Sequence, residues 1–127
     1  MKKPLFLLFT GLLLSCLIPV HTVAAQELPT QKETLENIIK VNDYFMKKYA
    51  DYTLPSFFGR VRPSNIWTRG VYYEGLMALY SIYPRAEFYD YAYNWAEYHE
   101  WGMRNGNTTR NADDYCCGQT YIDLYNI

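Results

Sequence analysis

Two adjacent aspartates, Asp113 and Asp114, form the most chemically suggestive feature of this 127-residue sequence. They fall near the predicted start of a helix, where Asp is a preferred capping residue and the helix dipole favours a negative charge. One carboxylate is enough for that structural role, which leaves the other for a cleft. Crowded carboxylates raise each other's pKa, and a raised pKa suits a general acid at neutral pH. The alternative interpretation is that both aspartates only stabilise the helix start.

A second candidate site begins at Trp67 and combines aromatic rings with an arginine. Trp67 and Tyr73 offer flat faces that stack on sugar rings, and the Arg69 guanidinium can bind a carboxylate through two parallel hydrogen bonds. We therefore take Trp67, Arg69 and Tyr73 as candidate substrate-binding residues. The simpler interpretation is that Arg69 pairs with Glu74 or another surface acid. A further titratable residue, His99, is more typical of a satisfied core histidine than of a catalytic base.

Composition excludes several classes of function. All 13 acids but only 10 of the 12 bases follow residue 25, since Lys2 and Lys3 precede it, so residues 26–127 carry a net charge of −3. This balance excludes non-specific nucleic-acid binding, and a sequence that is 50% hydrophobic and 20% charged excludes intrinsic disorder. Cys116 and Cys117 are adjacent in the sequence, and adjacent cysteines rarely form a disulfide with each other. We therefore expect two small buried side chains. No Cys/His cluster has zinc spacing, and no metal or cofactor is predicted.

The first 25 residues are predicted to be a secretory signal peptide. An apolar run at 5–20 follows two lysines, and small residues at 23–25 provide a cleavage site. No second apolar run is long enough to span a membrane, so we expect export to the periplasm or the extracellular space. The alternative is a lipoprotein with a lipid anchor at Cys16, although the residues after Cys16 stay apolar. Residues 26–127 are then enough for one small domain.

Helical periodicity predicts an all-α chain without strands. Four helices are expected, from about Thr30 to Tyr49, from Trp67–Arg69 to Tyr83, from Arg85 to Trp101, and from Asp113–Tyr115 onward. Thr30 followed by Glu33 matches a capping box. The second helix has apolar side chains on nearly every face, which predicts burial on nearly every side. Gly75 within that helix indicates close packing at its position. The 14 tyrosines, all after residue 43, indicate a large shared core or an aromatic-lined surface.

Two long segments resemble glycoside hydrolase family 105, the unsaturated rhamnogalacturonyl hydrolases, which are relatives of the family 88 unsaturated glucuronyl hydrolases. Trp67–Tyr80, WTRGVYYEGLMALY, resembles a helix opening of these enzymes, and Ala112–Tyr125, ADDYCCGQTYIDLY, resembles their next segment, where an Asp precedes a Gly-containing helix. Trp95 and Trp101 on the intervening helix also fit. The resemblance covers residues 31–127. It implies the N-terminal third of an (α/α)6 barrel, because twelve helices with loops need roughly 300 residues or more.

The resemblance also implies an activity. The family acts on oligosaccharides left by pectin-type polysaccharide lyases, whose non-reducing end is a C4=C5-unsaturated uronic acid. An Asp protonates C4 and helps water add at C5, after which the hemiketal opens and releases the saturated sugar without a metal or cofactor. Asp113 matches the assisting aspartate, and Asp114 is its less certain neighbour.

The family's principal acid/base Asp, and the downstream His and Arg that help hold substrate, have no match in this chain. We therefore expect the isolated chain to be inactive. The alternative is a small exported helical module that binds carbohydrate or another partner without catalysis.

Overall fold

The computed structural model describes residues 27–57 and 59–127, which form four helices and one short antiparallel hairpin. The elements are α1 (Gln31–Lys48), β1 (Ser56–Phe57), β2 (Val61–Arg62), α2 (Trp67–Ile82), α3 (Ala86–Tyr98) and α4 (Ala112–Tyr125). The predicted all-α class and the four predicted helices are confirmed. The capping box at the start of α1 is also confirmed, because the Thr30 side chain accepts from the Glu33 backbone and Glu33 accepts from that of Thr30.

The prediction of a chain without strands was wrong for the hairpin. Each strand has two residues, with Ser56 paired to Arg62 and Phe57 to Val61. Alternation over two residues is too short to be recognised in a sequence. Gly59 in the connecting turn has a φ of 67°, a conformation that favours glycine.

The predicted signal peptide and the possible lipid anchor at Cys16 lie outside the described residues. Within residues 27–57 and 59–127, no helix combines the length and the apolar character that crossing a membrane requires.

Helix α2 packs against both α1 and α3 and runs antiparallel to both. Near its start, the Tyr73 ring stacks on Trp95 of α3 with centroids 4.0 Å apart, and near its end Tyr80 lies 6.0 Å from Tyr89. Against α1, the Arg69 guanidinium lies 4.2 Å from the ring centroid of Tyr49, the residue that caps the end of α1. Aromatic contacts therefore hold α2 on two sides.

Helix α4 runs parallel to α2, and the two are the most extensively packed helix pair. Gly70 near the start of α2 meets Cys116 near the start of α4, and further along the two helices Ser81 and Asn126 line one surface cleft. Helices α2 and α4 thus run in one direction, while α3 runs in the other. This alternation is the arrangement of part of an (α/α)6 barrel, with α1 and α3 as the outer helices.

The core explains part of the tyrosine content. It consists of Tyr73, Leu76, Met77, Leu79, Phe88, Tyr91, Ala92, Trp95, Ala96, Cys117, Tyr121 and Leu124. The prediction that α2 is buried on nearly every side was wrong, because Val71 is 49% exposed. Beside it, an apolar groove of about 440 Å³ separates α2 from α1. Apolar faces of α2 therefore remain uncovered by the described residues.

Close packing occurs at Gly70 and not at Gly75, where it was predicted. A Cβ at Gly70 would lie 3.0 Å from the carbonyl carbon of Cys116 and 3.0 Å from the backbone nitrogen of Cys117. A Cβ at Gly75 would meet nothing within 4 Å. The absence of a side chain at Gly70 therefore lets the backbones of α2 and α4 touch.

Substituting these two glycines should have opposite effects. We expect Gly70→Ala to destabilise the protein by about 1–3 kcal/mol, because backbone atoms of α4 cannot move aside as a flexible side chain would. Gly75→Ala is the matched control, and we expect it to stabilise the same helix by up to about 1 kcal/mol through helix propensity alone. Urea unfolding of both variants measures the difference. Equal changes in the two variants would contradict the close contact at Gly70.

Candidate functional site

Asp114 is fully buried and satisfied by three side chains of the loop that precedes α4. Its Oδ1 accepts from Arg104 Nε at 2.8 Å and lies 2.7 Å from Arg104 Nη2, forming an ion pair. Its Oδ2 accepts from Asn105 Nδ2 at 2.7 Å and from Thr109 Oγ1 at 2.8 Å. These contacts tie the loop to the first turn of α4.

The same contacts keep Asp114 ionised. Burial raises its pKa, but the hydrogen bonds from Thr109, Asn105 and Arg104, together with the positive charge of Arg104, lower it further than burial raises it. The net result is a pKa below the usual value for Asp, opposite to the rise expected from crowding with Asp113. An Asp held ionised by an ion pair is poorly suited to donate a proton at neutral pH.

Asp113 is exposed and has a different environment. The residue that caps α4 is Asn111, whose Oδ1 accepts from the backbone N–H of Asp113 at 3.1 Å. The Asp113 carboxylate makes no hydrogen bond or ion pair with any residue of 27–57 and 59–127. A carboxylate that has no structural partner there is available to a bound molecule.

Trp67 and Asp113 lie at the same end of the molecule. Each is three residues before the contact between Gly70 and Cys116, on two helices that run parallel. Three residues are slightly less than one helical turn, or about 4.5 Å along the axis. Trp67 is 42% exposed, so its ring has a surface that can meet a ligand. The structure therefore brings an aromatic face and a carboxylate to neighbouring helix starts.

Arg69 and Tyr73, the other two predicted binding residues, point into the protein. Arg69 is only 4% exposed and lies over the Tyr49 ring, with its Nη2 3.4 Å from the Leu54 carbonyl oxygen. It pairs with no acid among the described residues, so the surface ion pair considered as the alternative does not form there. Tyr73 is fully buried and stacked on Trp95. Neither residue presents a surface to a ligand in this structure.

Three long-range hydrogen bonds join the loop before α2 to α3 and to the residues that follow α3. Ser64 Oγ lies 2.7 Å from His99 Nε2, and the Ser64 carbonyl accepts from Trp95 Nε1 at 3.2 Å. Asn65 Nδ2 donates to the Gly102 carbonyl at 3.1 Å. Burial lowers the pKa of His99, which favours the neutral ring at neutral pH. His99 thus has the structural role that the sequence favoured, and it holds the loop before α2 against the end of α3.

Sequence reasoning missed Arg104, Asn105 and Thr109, the three partners of Asp114. Their polar types were visible, but nothing in the spacing indicated that the loop turns back onto α4.

The free thiols of Cys116 and Cys117 are half-buried and buried, respectively, without a disulfide. Within the part of the chain that the structure describes, no three His, Cys, Asp or Glu side chains are grouped so that they could hold a metal ion.

A comparison with protein families places the chain, whereas comparisons with individual proteins do not. No curated protein and no solved structure matches the chain. A family model described as Glycosyl Hydrolase Family 88 matches residues 37–127, which is well over half of the 127-residue sequence. The matched stretch contains all of α2, α3 and α4, and with them Trp67, Asp113 and Asp114. The chain therefore belongs to glycosyl hydrolase family 88.

Proposed function

We propose that this chain forms the N-terminal part of the active site of an unsaturated rhamnogalacturonyl hydrolase of the family 105 type. The substrate is an oligosaccharide from a polysaccharide lyase, with a C4=C5-unsaturated uronic acid at its non-reducing end. The observation that carries the proposal is the exposed Asp113 carboxylate. It lies in a chain of family 88, at a helix start that neighbours the start of the parallel helix carrying the exposed Trp67.

The reaction is hydration of an enol ether and not direct displacement at the glycosidic carbon. A proton adds to C4, the oxygen of a water molecule bonds to C5, and the water loses a proton, so the double bond becomes a hemiketal. The hemiketal then opens by breaking the bond between C5 and the ring oxygen, which leaves a ketone at C5 and a hemiacetal at C1. The hemiacetal breaks down to an aldehyde, and its bond to the saturated sugar breaks as that sugar leaves with the proton. Asp113 assists by accepting a hydrogen bond from the attacking water or from a sugar hydroxyl, and the principal acid/base Asp comes from a helix beyond α4.

Other described residues bind the sugar, position Asp113 or support α2. Trp67 stacks on a sugar ring, because its half-exposed face lies one turn before the contact between α2 and α4. Asp114 positions Asp113 by fixing the start of α4 through its ion pair with Arg104. Arg69 and Tyr73 act from inside the protein as supports for α2. Export through the segment 1–25, or a lipid anchor at Cys16, would bring the enzyme to the polysaccharide outside the cytoplasm.

A chimera tests this function. Residues 37–127 would replace the matching segment of an active family 88 enzyme, and turnover would be followed as loss of the ultraviolet absorbance of the conjugated alkene. We expect the chimera to consume lyase-treated rhamnogalacturonan and the 127-residue chain alone to be inactive. A folded chimera without turnover on any unsaturated uronide would contradict the proposal and favour a binding module. Turnover by the isolated chain would contradict the assignment of the principal acid/base to a later helix.

A further inference from the structure

Three arginines line a cleft between the hairpin and the loop that precedes α4. The cleft has a volume of about 520 Å³ and is lined by Arg60, Val61, Arg62, Pro63, Arg104 and Asn105. The hairpin supplies the first three of these residues, and the loop after α3 supplies the last two. Because these two loops are the ones joined by the hydrogen bond from Asn65 to Gly102, the cleft has walls from two elements that are fixed to each other.

The positive charge in this cleft is only partly compensated. Arg104 pairs with Asp114, whereas Arg60 and Arg62 pair with no carboxylate among residues 27–57 and 59–127. The remainder of the sequence, 1–26 and 58, contains no Asp or Glu that could supply one. The pKa of Arg62 is lowered by burial and then by the positive charges of Arg60 and Arg104, as expected for three neighbouring cations. An anion would therefore be attracted to this cleft.

The Arg62 guanidinium also has unused hydrogen-bonding capacity. Its Nε is buried without a hydrogen-bond partner among the described residues. Leaving a buried charged donor unpaired is unfavourable, and a planar guanidinium is suited to bind a carboxylate through two parallel hydrogen bonds. Burial and charge together thus favour a carboxylate over a neutral ligand.

The cleft adjoins the first turn of α4, which also carries Asp113. Arg104 and Asn105 line the cleft and also bind the two carboxylate oxygens of Asp114, the residue next to Asp113. A saccharide whose end lies at Asp113 could therefore extend into the cleft. The hydroxyls of a neutral sugar can accept hydrogen bonds from Arg60 and Arg62, but they carry no charge to compensate those of the two arginines.

We propose that the cleft formed by Arg60, Arg62, Arg104 and Asn105 is a subsite for the carboxylate of a further uronic acid in the substrate chain. The inference rests on the proposed function, since it names a second binding position for the same oligosaccharide. It gives a preference for oligosaccharides that carry an acidic sugar beyond the unsaturated residue. Arg62 is the specificity-determining residue, and Arg60 adds a second positive charge.

Direct binding to the 127-residue chain tests the subsite without turnover. Calorimetry would compare saturated trigalacturonate with the carboxyl-reduced, neutral trisaccharide and with inorganic sulfate at equal ionic strength. We expect the acidic trisaccharide to bind at least about tenfold more tightly than the neutral one, because a hydrogen bond to a charged group is involved. Its affinity should fall as salt is added. Sulfate that binds as tightly as trigalacturonate would overturn the proposal in favour of a simple anion site.

A matched pair of variants assigns the effect to the cleft. Arg62→Gln should weaken trigalacturonate binding about tenfold and leave binding of the neutral trisaccharide unchanged. Arg110→Gln removes the same charge from an exposed position outside the cleft and should change affinity less than twofold. Circular dichroism melting of both variants controls for folding. Equal losses in the two variants, or none in Arg62→Gln, would overturn the proposal.

The two proposals can fail separately. A chimera that is inactive on every unsaturated uronide, combined with Arg62-dependent binding of trigalacturonate, would refute the hydrolase and retain the acidic subsite. An active chimera with no preference for acidic oligosaccharides would retain the hydrolase and refute the subsite.

Discussion

Replacing Asp113 by Asn should lower the rate of unsaturated-uronide hydrolysis by roughly 10²- to 10³-fold, the usual cost of removing one hydrogen-bonding group that stabilises a transition state. The amide keeps the size of the side chain but lacks the negative charge that strengthens the hydrogen bond accepted from the attacking water or from a sugar hydroxyl. The measurement is turnover of lyase-treated rhamnogalacturonan by the chimera that carries residues 37–127. The fold should be retained, because the exposed Asp113 carboxylate has no partner among the described residues and loses only a helix-dipole interaction of about 0.3–1 kcal/mol.

Asp123→Asn is the matched control for this prediction. Asp123 lies near the other end of α4, where its Oδ1 accepts from Gln119 Nε2 at 3.2 Å. The substitution makes the same change of charge on the same helix, far from the candidate site, and should leave turnover within about twofold. Full activity of Asp113→Asn would refute the role of Asp113, and an equal loss in Asp123→Asn would show that the rate responds to charge on α4 in general.

Replacing Asp114 by Asn should instead destabilise the protein by about 3–5 kcal/mol, the usual cost of removing one partner of a buried ion pair. Arg104, whose side chain is only 13% exposed, would lose its counter-charge. The new amide nitrogen would also face one of the donors that now bind the carboxylate. Urea unfolding at neutral pH measures the loss. Asp113→Asn is the neighbouring control and should cost less than about 1 kcal/mol.

The pH dependence of stability identifies the same interaction. The pKa of Asp114 is lower in the folded protein than its ordinary value of 3.8, so the unfolded chain binds the proton more readily. The stabilisation is therefore complete above about pH 4 and is lost as pH falls through the lower folded pKa. The difference in the free energy of unfolding between the wild type and Asp114→Asn should shrink in that acidic range.

If Asp114→Asn fails to fold, Asn105→Ala removes one hydrogen bond and should retain the fold at a cost of about 1–3 kcal/mol.

Local features of the fold could be predicted from the sequence. Helical periodicity located α1 to α4 within a few residues, and the pair Thr30 and Glu33 identified the capping box. These features depend on residues three or four apart, which a sequence shows directly. The hairpin was missed because strands of two residues leave no measurable alternation.

Long-range features could not be predicted in the same way. Adjacency suggested two different roles for Asp113 and Asp114, but only the path of the preceding loop decides which of them is buried. Arg69 was expected to bind a carboxylate, either of a substrate or of Glu74 or another surface acid. Its position over the Tyr49 ring depends on the packing of α1 against α2, because Arg69 and Tyr49 are twenty residues apart in the sequence. The contact at Gly70 likewise depends on the approach of α4.

The contact at Gly70 has a consequence for how this site could change in evolution. The spacing between the starts of α2 and α4 is set by backbone touching backbone, so it does not depend on the identity of the side chains that face the ligand. Trp67, Arg60 and Arg62 are all outside that contact and outside the core. Substitutions at these three positions could therefore change substrate preference while the spacing of the two helix starts, and with it the position of Asp113, stays constant. Directed evolution libraries that randomise the three positions and keep Gly70 and Asp114 should retain a high fraction of folded variants.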